Sequence, residues 1–230
     1  MNAYFISGLG ADKRIFSRLR LNESINIIHI DWITPFKNES LMDYAERLSK
    51  VIDVNLPFAL VGVSFGGMIV VEISKILNPV STIIISSAVF SSDLPFLYRL
   101  AGKLNLVKFI PTWLLKSSNK LTQNFFFGTK GKSEKMLLGR IISDTDPTFL
   151  KWAIGSILSW RNEIKAKNLI HIHGNADRIL YSKSAQPDLM IKNGTHFMVY
   201  QQADEISKII DNVVLSERDC HIPLKNRNSQ

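Results

Sequence analysis

The stretch that most restricts the fold runs from Phe58 to Leu77. An apolar run, Phe58–Val63, passes through Gly62-Val63-Ser64-Phe65-Gly66-Gly67 into a helical pattern that Asn78-Pro79 stops. G-x-S-x-G carries meaning only between a strand and a helix, and that is its context here. A serine at so tight a bend is held in strained backbone, and the residues two before and two after it lie too close for side chains. Gly62 and Gly66 meet that need, and Gly67 permits closer helix packing. The bend would expose the Ser64 hydroxyl at a helix N-terminus, where developing negative charge is favoured.

Around this stretch the chain alternates strand and helix. Six apolar runs are expected as strands: Tyr4–Ile6, Ile25–Ile30, Phe58–Val63, Thr82–Ile85, Leu169–His173 and Asp188–Ile191. Rich in Ile and Val without clean alternation, they suit a parallel sheet covered on both faces. Helices are expected over Asp12–Leu21, from an N-cap at Ser40 to about Val54, over Phe65–Leu77 and over Ala203–Leu215. From about Ser92 to Trp160 no strand pattern intervenes. Turn signals at Leu94-Pro95, Ile110-Pro111, Gly128–Gly131 and Asp146-Pro147 divide this part into about four helices. The expected organisation is an α/β core (residues 1–91 and 162–215), a helical insertion (92–161) and a polar tail (216–230).

Composition excludes several classes. With 230 residues, 46% hydrophobic and 21% charged, the chain suits one globular domain with a large insertion. Ala3–Leu9 is too short for a leader's apolar core, and no run reaches the roughly 18 apolar residues of a membrane span. Cys220 is the single cysteine, so no internal disulfide forms, and a cytoplasmic location is expected. Nothing near Cys220 would activate its thiol. The net charge is +8, and between Asp93 and Arg161 eleven Lys or Arg face four Asp or Glu. They scatter without a nucleic-acid signature, so no nucleic-acid partner is expected. A solvated basic surface is the simplest reading, with attraction to an acidic substrate or an anionic membrane surface as the alternative.

Two late loops supply partners for Ser64. Leu169–His173 leads into Gly174-Asn175-Ala176-Asp177, and Asp188–Ile191 leads into Lys192-Asn193-Gly194-Thr195-His196. The C-terminal ends of parallel strands gather along one rim. Ser64, Asp177 and His196 are therefore expected to converge there, in the chain order Ser, Asp, His. A serine nucleophile needs a base, and the base needs an orienting acid.

Carried by Gly62–Gly67, Gly174–Asp177 and Gly194–His196, the sequence from Tyr4 to about Leu215 resembles the α/β-hydrolase superfamily. Within it the chain is most similar to small esterase-like members with a helical cap. The resemblance implies a mostly parallel sheet of about six strands with helices on both faces, lacking the two-stranded hairpin with which members usually begin. It implies Ser64 as nucleophile, His196 as general base and Asp177 as its orienter. It also implies backbone N–H groups of Leu9 and Phe65 as the oxyanion hole. Many members carry His-Gly at the first turn; here it is Ser7-Gly8. The implied activity is cleavage of a carboxylic ester or related acyl compound, with a small-molecule acyl substrate and neither cofactor nor metal. Thioesterase, C–C hydrolase and acyltransferase chemistry share the triad, and a ligand-binding protein with slow or no turnover is the rival of another class.

Other candidates yield to simpler readings. Gly8, Gly10 and Asp31 suggest a dinucleotide fold, but Lys13 stands where the third glycine is required. Asp93, after the fourth strand, is an alternative position for the acid. His29, His171 and His173 are expected as core or near-surface histidines, since no cluster has metal-ligand spacing. Trp113 and Phe125-Phe126-Phe127 are expected to pack within the insertion, and such residues would also build the apolar underside of a cap.

Overall fold

A computed structural model describes residues 1–104, 106–109, 120–180 and 185–221. Trp113 and the Ile110-Pro111 turn lie outside the described residues. Six strands, β1 (Asn2–Ile6), β2 (Asn26–Ile30), β3 (Phe58–Val63), β4 (Ser81–Ile85), β5 (Leu169–Gly174) and β6 (Leu189–Ile191), form one sheet. Its order is β2-β1-β3-β4-β5-β6, and every neighbouring pair is parallel. Successive side chains of a strand point to opposite faces, so a sheet covered on both sides buries both sets and favours apolar residues throughout. β3 and β4 are buried along their whole length. Tyr4, Ile6, Leu60 and Ile84 feed one core, and Phe5, Val61, Ile83 and Ile85 the other.

Helices α1 (Leu41–Ser49) and α2 (Phe65–Ile76) cover the first face. In α1, Ser40 Oγ accepts from Asp43 N at 3.1 Å, which starts the helix, and Tyr44, Ala45 and Leu48 turn inward. The helix stops at Ser49, short of the expected Val54. Val51-Ile52-Asp53-Val54, with three β-branched residues, forms a turn instead, in which Ile52 N donates to Ser49 O and Asp53 N to the Tyr4 hydroxyl.

On the second face the expected helix over Asp12–Leu21 is replaced by one 3-10 turn, Lys13–Phe16. Its apolar residues are still buried, because Ile15, Phe16 and Leu19 pack on Phe5 and its neighbours. Arg14, however, is drawn to Asp12 and Asp144, and Arg20 N bonds Ser207 Oγ, which bends the segment away from a straight helix.

Between β4 and β5 the described α-helices are α3 (Phe96–Lys103), α4 (Lys120–Phe127), α5 (Lys132–Asp144) and α6 (Pro147–Ser159). Asp146 caps α6 by accepting from Phe149 N at 2.7 Å, with Pro147 in the first turn. At the far end of α6, Trp160 Nε1 donates to buried Glu72 of α2 at 2.7 Å and ties this segment to the core. A short α7 (Met198–Gln201) and the long α8 (Ala203–His221) complete the second face, with Ile206, Ile210 and Val214 inward at four-residue intervals. α8 passes the expected end at Leu215, so the polar tail is partly helical. No described helix is long and apolar enough to cross a membrane.

Candidate active site

The strand order reverses between β1 and β3, and loops leaving strand C-termini at such a reversal open a crevice. Ser64 leaves β3 there with φ 53° and ψ −119°, a left-handed conformation costly for a residue with a Cβ. Its backbone is held from both sides. Ser64 N donates to Ile85 O at 2.9 Å, and Ser64 O accepts from Ser87 Oγ at 2.6 Å and Gly67 N at 2.9 Å. A Cβ on Gly62 would strike the Gly66 backbone, and one on Gly66 would strike the carbonyls of Ile6 and Ser7.

The loop after β1 lies against this bend. A Cβ on Gly8 would sit 3.3 Å from Ser64 Cβ. Ser7 Oγ and Trp32 Nε1 both donate to Ala11 O, at 2.7 and 2.9 Å, and Ala11 N closes the turn on Gly8 O. Ser7 thus holds the loop from within. Leu9 lies in this turn, and Phe65, as the first residue of α2, has an N–H that the helix itself cannot satisfy. Both residues line the same cavity as Ser64. The dinucleotide reading fails here. Gly8 and Gly10 open onto a single 3-10 turn, and the strand order is not that of the dinucleotide fold.

Two further loops meet at their glycines. Either glycine's Cβ would run into the other, Gly174 against Gly194. Ala176 N donates to Gly194 O at 2.9 Å, and Asn193 N to Asn175 Oδ1 at 2.7 Å. This junction sets Asp177 beside His196. His196 Nδ1 lies 2.8 Å from Asp177 Oδ2, and His196 Nε2 lies 2.9 Å from Ser64 Oγ. Asp177 Oδ1 accepts from Ile179 N and Leu180 N at 2.8 and 2.9 Å. Burial by itself would raise the Asp177 carboxyl. The His196 and His173 imidazoles, with their hydrogen bonds, outweigh that and hold it well below the usual carboxylate range.

Asp93 stays apart from this group. Its buried Oδ2 accepts from Val89 N and Phe90 N at 3.0 and 2.8 Å, and desolvation raises its carboxyl. His29 stacks on Phe16, its ring pushed toward neutrality chiefly by burial. His171 and His173 are fully buried in β5, and burial pushes His171 down to about 3.

The cavity over Ser64 has a volume of about 400 Å³. Its walls combine core residues with Leu138, Ile141, Ile154 and Ile157 of α5 and α6, and Tyr98 of α3 reaches it too. Among the described residues no charged side chain lines it. Of the three phenylalanines expected to pack, Phe125 and Phe126 are exposed, whereas Phe127 lines the cavity with its ring 5.5 Å from that of His196.

No family model matches the chain, and no curated protein matches it in sequence. Solved structures match it in fold. A putative lipase from Acinetobacter baumannii superposes with a TM-score of 0.71 at 16% identity, over 95% of this chain and 85% of that one. An esterase from Exiguobacterium antarcticum gives 0.69 at 15% identity, over 94% and 92%. A lipase-esterase related protein from Clostridium acetobutylicum gives 0.64 at 16% identity, over 92% and 93%. The chain has the fold of these proteins: a six-stranded parallel sheet between two layers of helices.

Proposed function

We propose that this chain, which has the α/β-hydrolase fold, is a serine hydrolase that cleaves a carboxylic ester or a related acyl compound. The observation that carries the reading is the continuous path Ser64 Oγ–His196–Asp177, with steps of 2.9 and 2.8 Å, opening into an apolar cavity. In this reading Asp177, an ionised acceptor, fixes the His196 proton on Nδ1 and leaves Nε2 free to accept. As Ser64 Oγ bonds to the acyl carbon, its proton passes to His196 Nε2 and the carbonyl electron pair moves onto oxygen. The N–H groups of Leu9 and Phe65 receive that oxyanion at the N-terminus of α2. Collapse expels the alcohol, which takes the proton from His196. Water then repeats the sequence on the acyl-enzyme and releases the acid.

The described helices within residues 92–161 act as a cap, because α3, α5 and α6 supply the apolar wall above Ser64. An uncharged acyl group fits such a lining, since a charge inside it would lose its water with no partner in return. A serine-directed phosphonate tests the reading. It should modify Ser64, and Ser64→Ala should lose both labelling and ester hydrolysis while keeping the wild-type Tm within a few degrees. Labelling at another residue, or full activity in the variant, would overturn it.

A further inference from the structure

Behind the path from Ser64 to Asp177 lie two further histidines, both fully buried in β5. His173 Nε2 is 2.8 Å from Leu180 O and 3.2 Å from Asp177 Oδ2, and His171 Nε2 is 3.0 Å from His173 Nδ1. Both oxygens facing His173 Nε2 are acceptors only, so that nitrogen must carry a proton. On the other side of the ring, His173 Nδ1 shares a hydrogen bond with Nε2 of His171, which burial keeps neutral.

Resting on the hydrolase reading above, we infer that His173 is a positioning residue for that reaction: it sets the Asp177 carboxylate and the loop that carries it, and His171 sets His173. The geometry gives His173 two holds on the acid. Its N–H lies beside Oδ2, the oxygen that His196 uses, and so limits rotation of the carboxylate about its own axis. The same N–H fixes Leu180 O, while Leu180 N bonds the other carboxylate oxygen, Oδ1. One imidazole therefore closes a ring through Leu180 and Asp177, and a slack acid loop is prevented at both of its ends. A merely space-filling histidine would need neither contact. Placement errors of about an ångström at a reacting centre cost on the order of a hundredfold in rate, which sets the upper bound for losing this hold.

The test compares His173→Leu, which fills the space without a donor, with His173→Gln, whose amide nitrogen reaches the same position. Rates are normalised to active sites titrated by the phosphonate. For His173→Leu, kcat per titrated site should fall by about ten- to a hundredfold with KM changed by less than about threefold. For His173→Gln, kcat should return to within about threefold of wild type. A Leu variant that keeps wild-type kcat per site, or a Gln variant as slow as the Leu variant, would overturn the proposal. Long-range ¹H–¹⁵N spectra of the wild-type protein test it without any variant and without turnover. His173 should carry its proton on Nε2, and a bare Nε2 would overturn the assignment even if His173→Leu fails to fold. A wild-type protein inert to the phosphonate would count against the hydrolase reading instead, and the spectrum would still decide where the His173 proton lies.

Discussion

Asp177 and Asp93 are both buried aspartates beyond strand ends, yet their surroundings give them opposite character. Asp177 is met by two imidazoles and two backbone N–H groups and is held ionised, whereas Asp93 accepts from two backbone N–H groups and is pushed up by burial, which outweighs the more distant pull of His173 and Lys165. Asp177→Asn should lower kcat by about 10³–10⁴, because an amide that donates to His196 would hold the imidazole in the wrong tautomer. Asp93→Asn should leave kcat per titrated site within about threefold, its effect falling on stability instead. Equal losses in the two variants would contradict the assignment of the acid. The folded-state value of Asp177 lies below its unfolded value of 3.8. Its contribution to stability is therefore fully present above about pH 4, begins to fall as the pH drops below that value, and is gone once the pH has passed through the lower, folded value. Chemical denaturation of wild type and Asp177→Asn at pH 7 and at about pH 3 should show the difference between them shrinking in acid. From residues alone, Gly-x-x-Asp distinguished Asp177 from Asp93. The contact of His173 with Asp177 escaped notice, although the four-residue spacing was visible, because only the turn at Gly174 folds Asp177 back onto the strand.

At the scale of elements, the loops after β5 and β6 act as one piece, because they touch through glycines with no room for a side chain. A Cβ at Gly194 would lie 2.8 Å from both Gly174 Cα and Met198 Sδ. Gly194→Ala should therefore lower Tm by roughly 3–10 °C and slow kcat by about tenfold or more, since the two loops must part to make room. A variant with the wild-type rate would show that the loops are not coupled. The strands were legible almost to the residue. Short runs dominated by Ile, Val and Leu have few alternatives in a chain of this kind. The helices were less so. Burial of Ile15, Phe16 and Leu19 satisfies a helical period, but a single 3-10 turn buries them equally well, and contacts that accompany the turn, such as Arg14 with Asp144 and Arg20 N with Ser207, lie far along the chain. The end of α1 was missed for a similar reason: Tyr4, which holds Asp53 N, belongs to another strand.

At the scale of the molecule, the described charged side chains and the cavity are separated. Lys130, Lys132, Lys135 and Arg140 line an open groove of their own, while the cavity above Ser64 is apolar. An ester ending in a carboxylate should therefore react with a kcat/KM lower by about a hundredfold or more than its neutral isostere. Added salt should not close the gap, because screening acts on exposed charges and leaves the cost of burying one untouched. An anionic ester that matches the neutral one at low salt and falls behind as salt rises would instead mark the basic surface as a guide to substrate. The sheet order has a further consequence, in the timing of synthesis. β1, β3 and β4 can pair, and the strained serine can form, once the first part of the chain has emerged, yet His196 follows β6, a three-residue strand at the sheet edge that can pair only after β5. On the proposed reading a nascent chain would thus hold its strained serine before the histidine that activates it, and activity would wait for β6.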